Sequence, residues 1–475
     1  MSPSRPLGVV TAARADAAAA GVSILRAGGN AADAAVATAF ALAVTDPANC
    51  GIGGYGGYAV VSKSDGRATQ IAFNTHVPAA FDANRLSSAP RRGPFLHSGA
   101  SVAPPAVVAG LKRLHREEGS FDWPTLVAPA IALADDGFVV GPDLAAAIAW
   151  AFRSEPYLSL PLRALLSTDG RAIDARDRLQ QRDLAMTLRT IADTGADALR
   201  YGAMVDAILT VLDGAGGTLT QSDFPAVDAR ALKADTIAFR DAILSGCDDD
   251  ETGFGVVRDV LSDDAWPHDR GVPFVDAMTA RLNGAWRRRD GRFRDLSMPA
   301  RAAIQHTTHL CAADRDGLVV SMTFTHGPLW FGSGVMAPGT GIILNCGANL
   351  FVEEIATGRR LSQTNVCPMI LRRANGSRVA FGTPGGRKIP AMAAALAVDL
   401  VLRGDDVETA LANPRVSVGL DGTAELEAPL DRVFPGSRSI ARNDFYGPAS
   451  AISWSSEGGL RGHTDPRFSG ASMIA

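Results

Sequence analysis

The sequence predicts an α/β fold, a layered sandwich in which helices cover both faces of the sheet strands. Three observations predict it. Apolar residues recur at helical spacing near the N-terminus and again between about Pro104 and Leu212. Past Thr307 the pattern changes to short apolar strands parted by turns. A last helical run, Pro390 to about Leu402, follows those strands. With 475 residues, 47% of them apolar, the chain can bury a sizeable core as one large or two ordinary domains. No internal repeat or low-complexity linker divides it.

Taken in order, Ala13 to Leu25 reads as a helix that stops at Gly28-Gly29, and Asn30 caps a second helix from Ala31 to about Val44. Two helices therefore open the chain. Gly51-Ile52-Gly53-Gly54-Tyr55-Gly56-Gly57 matches the dinucleotide fingerprint by letter, but a phosphate-binding loop needs a strand before it and a helix after it. Here a helix precedes and the strand Tyr58 to Ser62 follows, so no nicotinamide or flavin cofactor is expected. The glycines instead let the backbone turn tightly and approach another segment. Phe121-Asp122-Trp123-Pro124 reads as a helix start and Asp136-Gly137 as a stop. Thr236 to Ser245 reads as one strand ending at Gly246. Asp248-Asp249-Asp250-Glu251 lacks the alternating oxygens and terminal glutamate of a calcium loop and reads as a solvated loop. Trp286 to Arg301 is Arg-rich and reads as an exposed segment. The strands beyond are Thr308 to Ala313, Leu318 to Thr325, Gly341 to Leu344, Val366 to Arg372 and Arg378 to Phe381.

A formal charge of −4, with no basic run interleaved with aromatics, argues against nucleic acid and for a small-molecule partner. Five cysteines (Cys50, Cys247, Cys311, Cys346, Cys367) show no C-x-x-C spacing, so they read as reduced thiols rather than a zinc site or a disulfide framework. The histidines His76, His97, His115, His268 and His463 have no metal-ligand spacing, and no metal is expected. No signal peptide or membrane span is readable, which points to the cytoplasm.

Gln305-His306-Thr307-Thr308-His309, set just before paired strand patterns, carries the functional signal. Two threonines at a strand edge ordinarily serve only as β-branched residues on a pleated surface. A threonine freed at a new N-terminus differs, because its α-amine titrates near about 7.7–8.0 and can take the hydroxyl proton itself.

Seven segments, in one order, resemble the γ-glutamyltransferases: Leu25 to Ala35, Gly51-Ile52-Gly53-Gly54, Asp135-Asp136-Gly137-Phe138, Thr307-Thr308-His309, Phe331-Gly332-Ser333-Gly334, Gly382-Thr383-Pro384-Gly385-Gly386 and Asp465-Pro466-Arg467. The resemblance spans essentially the whole chain. It implies the N-terminal-nucleophile hydrolase fold, a four-layer αββα sandwich, made as a proenzyme that cuts itself between His306 and Thr307. Residues 1–306 would form the large subunit and 307–475 the small one, together one folded unit. Thr307 would be the nucleophile, Thr325 the threonine that hydrogen-bonds the catalytic amine, and Gly385 and Gly386 the oxyanion-hole pair. His309 reads as a packed core residue.

The γ-glutamyl clamp does not carry over. The family arginine falls at Asn74, the glutamine and aspartate at Gly347 and Leu350, the asparagine at Gly327, and the two serines at Thr364-Asn365. Losing one partner of a buried charge pair typically costs about 2–5 kcal/mol, so a γ-glutamyl group should bind poorly. Relatives act on other amides, β-lactam side chains among them, and a neutral acyl group suits this set of residues. Arg387, Lys388 or His326 could restore a clamp from elsewhere. Three readings stay open: an amidohydrolase or acyltransferase for a non-γ-glutamyl acyl group, a γ-glutamyltransferase with a rewired pocket, and an uncleaved binding protein.

Overall fold

The computed structural model describes all residues except 1–5, 83–98, 155–157, 249, 264, 297–305, 433, 442–446 and 458. Two antiparallel sheets lie at its centre. The larger has seven strands in the order Ala471–Ile474, Gly8–Ala12, His306–Asp314, Val319–Gly327, Gly56–Ser62, Ala68–Ala72, Arg230–Lys233. The other has six, in the order Leu460–Thr464, Ser450–Trp454, Arg378–Gly382, Met369–Arg373, Ala242–Gly246, Asp235–Phe239.

Alternation along each strand assigns the layers. In the central hairpin, Leu310, Ala312, Val320, Met322 and Phe324 join the core beneath the N-terminal helices, while Cys311, Ala313 and Val319 face the second sheet. The second sheet repeats the pattern, with Ile370 and Ala380 turned inward between the sheets and Met369, Leu371, Val379 and Phe381 packed on the helices Phe254–Val260, Val272–Arg292 and Lys388–Val398. The result is helices, sheet, sheet, helices: the αββα sandwich the resemblance implies.

The helix Ala31–Thr45 is buried along its whole length beneath the larger sheet. Its start is fixed by a capping box, in which Asn30 accepts from the Ala32 and Asp33 N–H groups and Asp33 returns a bond to the Asn30 N–H at 3.0 Å. Asp33 also accepts from the Ser120 N–H at 3.0 Å, the Ser120 hydroxyl at 2.6 Å and the Phe121 N–H at 3.3 Å. One buried carboxylate thus ties two helical segments together.

The structure corrects several expectations. A strand, Gly8–Ala12, precedes the two opening helices; its short apolar run merges with the alanine-rich helix that follows and carries no period of its own. The single strand read over Thr236 to Ser245 is a hairpin, Asp235–Phe239 and Ala242–Gly246, turning at Arg240 with φ 55°. The Arg-rich stretch is helical to Arg292, with Trp286 and Arg289 buried, whereas Arg287, Arg288, Arg292 and Arg294 are exposed as expected. The acidic run is a built turn: Asp248 accepts from the Asp250 and Glu251 N–H groups, and Tyr58 donates to the Glu251 carboxylate at 2.6 Å. Burial raises the Glu251 carboxyl above its usual range. Asp249, His97, Gln305 and the 297–301 part of the Arg-rich stretch lie outside the described residues. No described helix is long and apolar enough to cross a membrane.

Replacing Asp33 with alanine removes the shared acceptor of the partly buried Asn30 and Phe121 N–H groups and of the Ser120 N–H. Asp33→Ala should cost about 3 kcal/mol of stability, read as a lowered urea midpoint, whereas a variant at exposed Asp16 should not move it.

Candidate active site

The central hairpin is regular except at one place. His306 pairs with Gly327 and Thr308 with Phe324, so Thr325 and His326 together oppose the single residue Thr307. Such a bulge breaks the ladder and bends the strand. The Thr325 hydroxyl uses the break: it accepts from the Gly327 N–H at 2.9 Å and donates to the His306 carbonyl at 2.7 Å. The bond polarises the carbonyl that Thr307 follows. The Thr307 hydroxyl is not held in any hydrogen bond among the described residues.

His306 is fixed from the other side. Its ring stacks on Trp330 with centroids 4.4 Å apart, and Trp330 meets Trp150 edge-on at 5.3 Å. Burial pushes the imidazole down to about 3, so it is neutral at ordinary pH.

The opposite wall comes from the second sheet. Arg378–Gly382 runs into Thr383-Pro384-Gly385-Gly386 and then the helix Lys388–Val398. Gly385 has φ 132° and Gly386 φ 58°, both in the region that favours glycine. Their carbonyls accept from Lys388 and Ile389, which closes the turn into the helix. Neither Gly385 nor Gly386 spends its own N–H on a described residue, and both sit where the helix dipole favours negative charge.

Between these walls lies a small, partly open cleft. Thr307, Thr325, Gly327, Leu350, Thr364, Asn365 and Gly386 line it, together with His306. Gly385, Asn74 and Gly347 do not. Asn74 is turned away, donating to the Ser362 carbonyl at 2.5 Å, and Gly347 lies behind the Tyr55 ring. None of the lining residues carries a charge.

Two of the alternative clamp residues are engaged elsewhere. Arg387 pairs with Asp290 at 3.3 Å and lies over the Trp286 ring, and Lys388 pairs with Glu425 at 3.8 Å. His326 is buried against Gly51, and burial pushes it down to about 4. His309 is a core residue, as its position on the strand suggested. Its Nδ1 meets the Thr323 hydroxyl at 2.8 Å and its Nε2 the Cys311 thiol at 3.2 Å, between the sheets. The Asp465-Pro466-Arg467 segment also has a structural place, with Arg467 bonded to Glu427 at 2.7 Å and to Asp465 at 3.0 Å.

Sequence reasoning missed Tyr55, Pro328, Val366 and Ile389 on the cavity wall. Tyr55 had a signal: it is the one large side chain placed among the close-packed glycines of 51–57.

Comparison with known proteins identifies the family and the fold. The family model described as gamma-glutamyltranspeptidase matches residues 17–260 and 278–475. The glutathione hydrolase proenzyme of Pseudomonas sp. (strain A14) is 28% identical over 470 residues, covering 86% of this chain and 81% of that protein. The acylase ACY 1 proenzyme of Pseudomonas sp. (strain SE83) is 29% identical over 511 residues, covering 94% and 89%. Among solved structures, the cephalosporin acylase from Bacillus halodurans superposes with a TM-score of 0.87 at 22% identity over 99% of this chain and 96% of its own, which shows the shared fold. The chain belongs to the gamma-glutamyltranspeptidase family and has its N-terminal-nucleophile hydrolase fold.

Proposed function

We propose that the protein is a self-processing amide hydrolase or acyltransferase whose nucleophile is Thr307, acting on an acyl group other than γ-glutamyl. The observation that carries this reading is the Thr325 hydroxyl on the His306 carbonyl, directly beside an unbonded Thr307 hydroxyl. Polarising that carbonyl favours attack by Thr307 Oγ1 on the His306 carbon. The His306–Thr307 amide would pass to an ester and then, with water, to two chains, 1–306 and 307–475.

The cut gives Thr307 a free α-amine and releases the Thr325 hydroxyl to hydrogen-bond it. In turnover the amine takes the Thr307 hydroxyl proton, Oγ1 attacks the substrate carbonyl, and the Gly385 and Gly386 N–H groups receive the developing oxyanion. The amine then returns the proton to the leaving nitrogen, and water or a second amine removes the acyl group by the reverse path.

The neutral lining favours the acylase side of the family over a γ-glutamyl donor, whose carboxylate and ammonium would be buried without partners among the described lining residues. Asn74 and Gly347 then act only behind the cavity, while Leu350, Gly327, Thr364 and Asn365 touch the acyl group.

Intact mass of denatured wild type should give fragments 1–306 and 307–475, and Thr307→Ala should remain one chain without activity. Thr307→Ser should cut and turn over more slowly, and Thr325→Val should slow cutting by about 10²-fold, the usual effect of removing one donor from a developing oxyanion. A Thr307→Ala protein that still hydrolyses amides would sink the assignment. The base must be neutral to act, so log kcat/KM of the cut enzyme should rise with unit slope from acid pH and level off at or below the amine's ordinary range of about 7.7–8.0. A flat profile between pH 5 and 8, on the order of three pH units, would exclude the amine as base.

A further inference from the structure

The acyl end of the cavity has a feature that the clamp comparison does not explain. Tyr55 is buried at 2% exposure, and its hydroxyl lies 2.9 Å from the Thr364 hydroxyl, with both residues on the cavity wall. The ring stands where a clamp side chain would have to pass: a Cβ at Gly347 would come within 2.5 Å of the Tyr55 Cβ. Tyr55 and a side chain at 347 exclude one another. On its other side the ring joins Phe81, Phe351 and Leu350 in an apolar cluster, so it cannot swing aside without opening a void.

Thr364 is held as firmly. Its N–H donates to the Glu251 carbonyl at 2.7 Å, and its own carbonyl accepts from Arg289 at 2.6 Å. Its hydroxyl oxygen also accepts the Val366 N–H at 3.3 Å. Two hydroxyls carry two protons and their mutual bond uses one. The other has no acceptor among the described residues. Burial raises the Tyr55 phenol above its usual range, so that proton is not lost to solvent at ordinary pH.

We propose that the Tyr55–Thr364 hydroxyl pair is the specificity device of the acyl pocket, donating one hydrogen bond to an uncharged, compact acyl group that carries an acceptor oxygen beyond its reacting carbonyl. The inference rests on the Thr307 reading above and names the substrate class for that site. An ammonium finds no carboxylate on this wall, a carboxylate finds no cation, and a purely aliphatic acyl group leaves the spare proton unpaired at a cost.

The test compares methoxyacetyl and butanoyl p-nitroanilides, which match in length and differ by one ether oxygen that accepts but cannot donate. The ratio of their kcat/KM values is measured for wild type, Tyr55→Phe, Thr364→Val and the double variant, with self-cutting followed by mass. Changes in the ratio cancel the intrinsic reactivity of the two amides. The double variant should lower the wild-type ratio about tenfold, the discrimination one neutral hydrogen bond supplies, and each single variant should lower it by about threefold or more because the remaining hydroxyl is no longer oriented. An unchanged ratio in the double variant, or in Tyr55→Phe where the double variant does not cut, overturns the proposal. So does a cut wild type that hydrolyses neither amide. A wild type that never cuts overturns the Thr307 reading instead, which keeps the two failures apart.

Discussion

The packing of two sheets face to face is the constraint on which the site depends. Alternation puts Thr307, His309 and Cys311 of one strand, and Ser321, Thr323 and Thr325 of its neighbour, on the face turned toward the second sheet. This row is polar, where a sandwich core is ordinarily apolar. It persists because its members satisfy one another: His309 bridges Thr323 and Cys311, and the Ser321 hydroxyl donates to the Phe381 carbonyl at 3.1 Å. The second sheet allows this by leaving Gly382 bare, since a Cβ there would lie 2.3 Å from the His309 ring. The bulge ends the regular pairing where this row reaches the cavity, so Thr307 is held by the same layer that builds the core.

Chemistry and recognition come from different parts of the chain. The residues proposed to react sit on the hairpin of one sheet and on the helix start that follows a strand of the other, both anchored by long ladders of main-chain bonds. The wall proposed to meet the acyl group comes from connecting segments: Tyr55 before a strand, Leu350 in a short helical turn, Thr364 and Asn365 between strands. Substitution in such connections leaves the ladders intact, so a pocket can be rewritten while the machinery stays.

Residues that obey local rules were legible in the sequence. Asn30 and Asp122 cap the helices they were expected to cap, and Gly137 ends one of them. The strands flanking Asp314 to Gly317 and the turn into the last long helix were legible from period and glycine alone. What failed depends on distant partners. Gly8–Ala12 is a strand because it adds to His306–Asp314, some 300 residues further along the chain. Aligning the pocket by family position took Asn74 and Gly347 as contact residues, whereas the room at Gly347 is filled by Tyr55, a side chain from a third segment. The missing side chain at Gly347 and the Tyr55 ring are one packing event, and a single sequence presents them as two unrelated residues.

The lack of charge on the described wall also bears on the base. A free amine at Thr307 would lie beside neutral His306, with the Thr325 hydroxyl and the apolar Leu350, Val366 and Ile389 completing its surroundings. Desolvation there disfavours the ammonium form, and no carboxylate among the lining residues opposes it. The amine would therefore hold a lone pair at neutral pH more readily than in water, which is what a general base requires. A pocket that grips a zwitterionic acyl group must place ionised side chains close to the same amine and balance their fields against its basicity. A pocket that recognises its acyl group through two hydroxyls does not. On the proposed reading the neutral lining would serve selectivity and basicity through one physical cause, and a carboxylate placed at Leu350 would change both together.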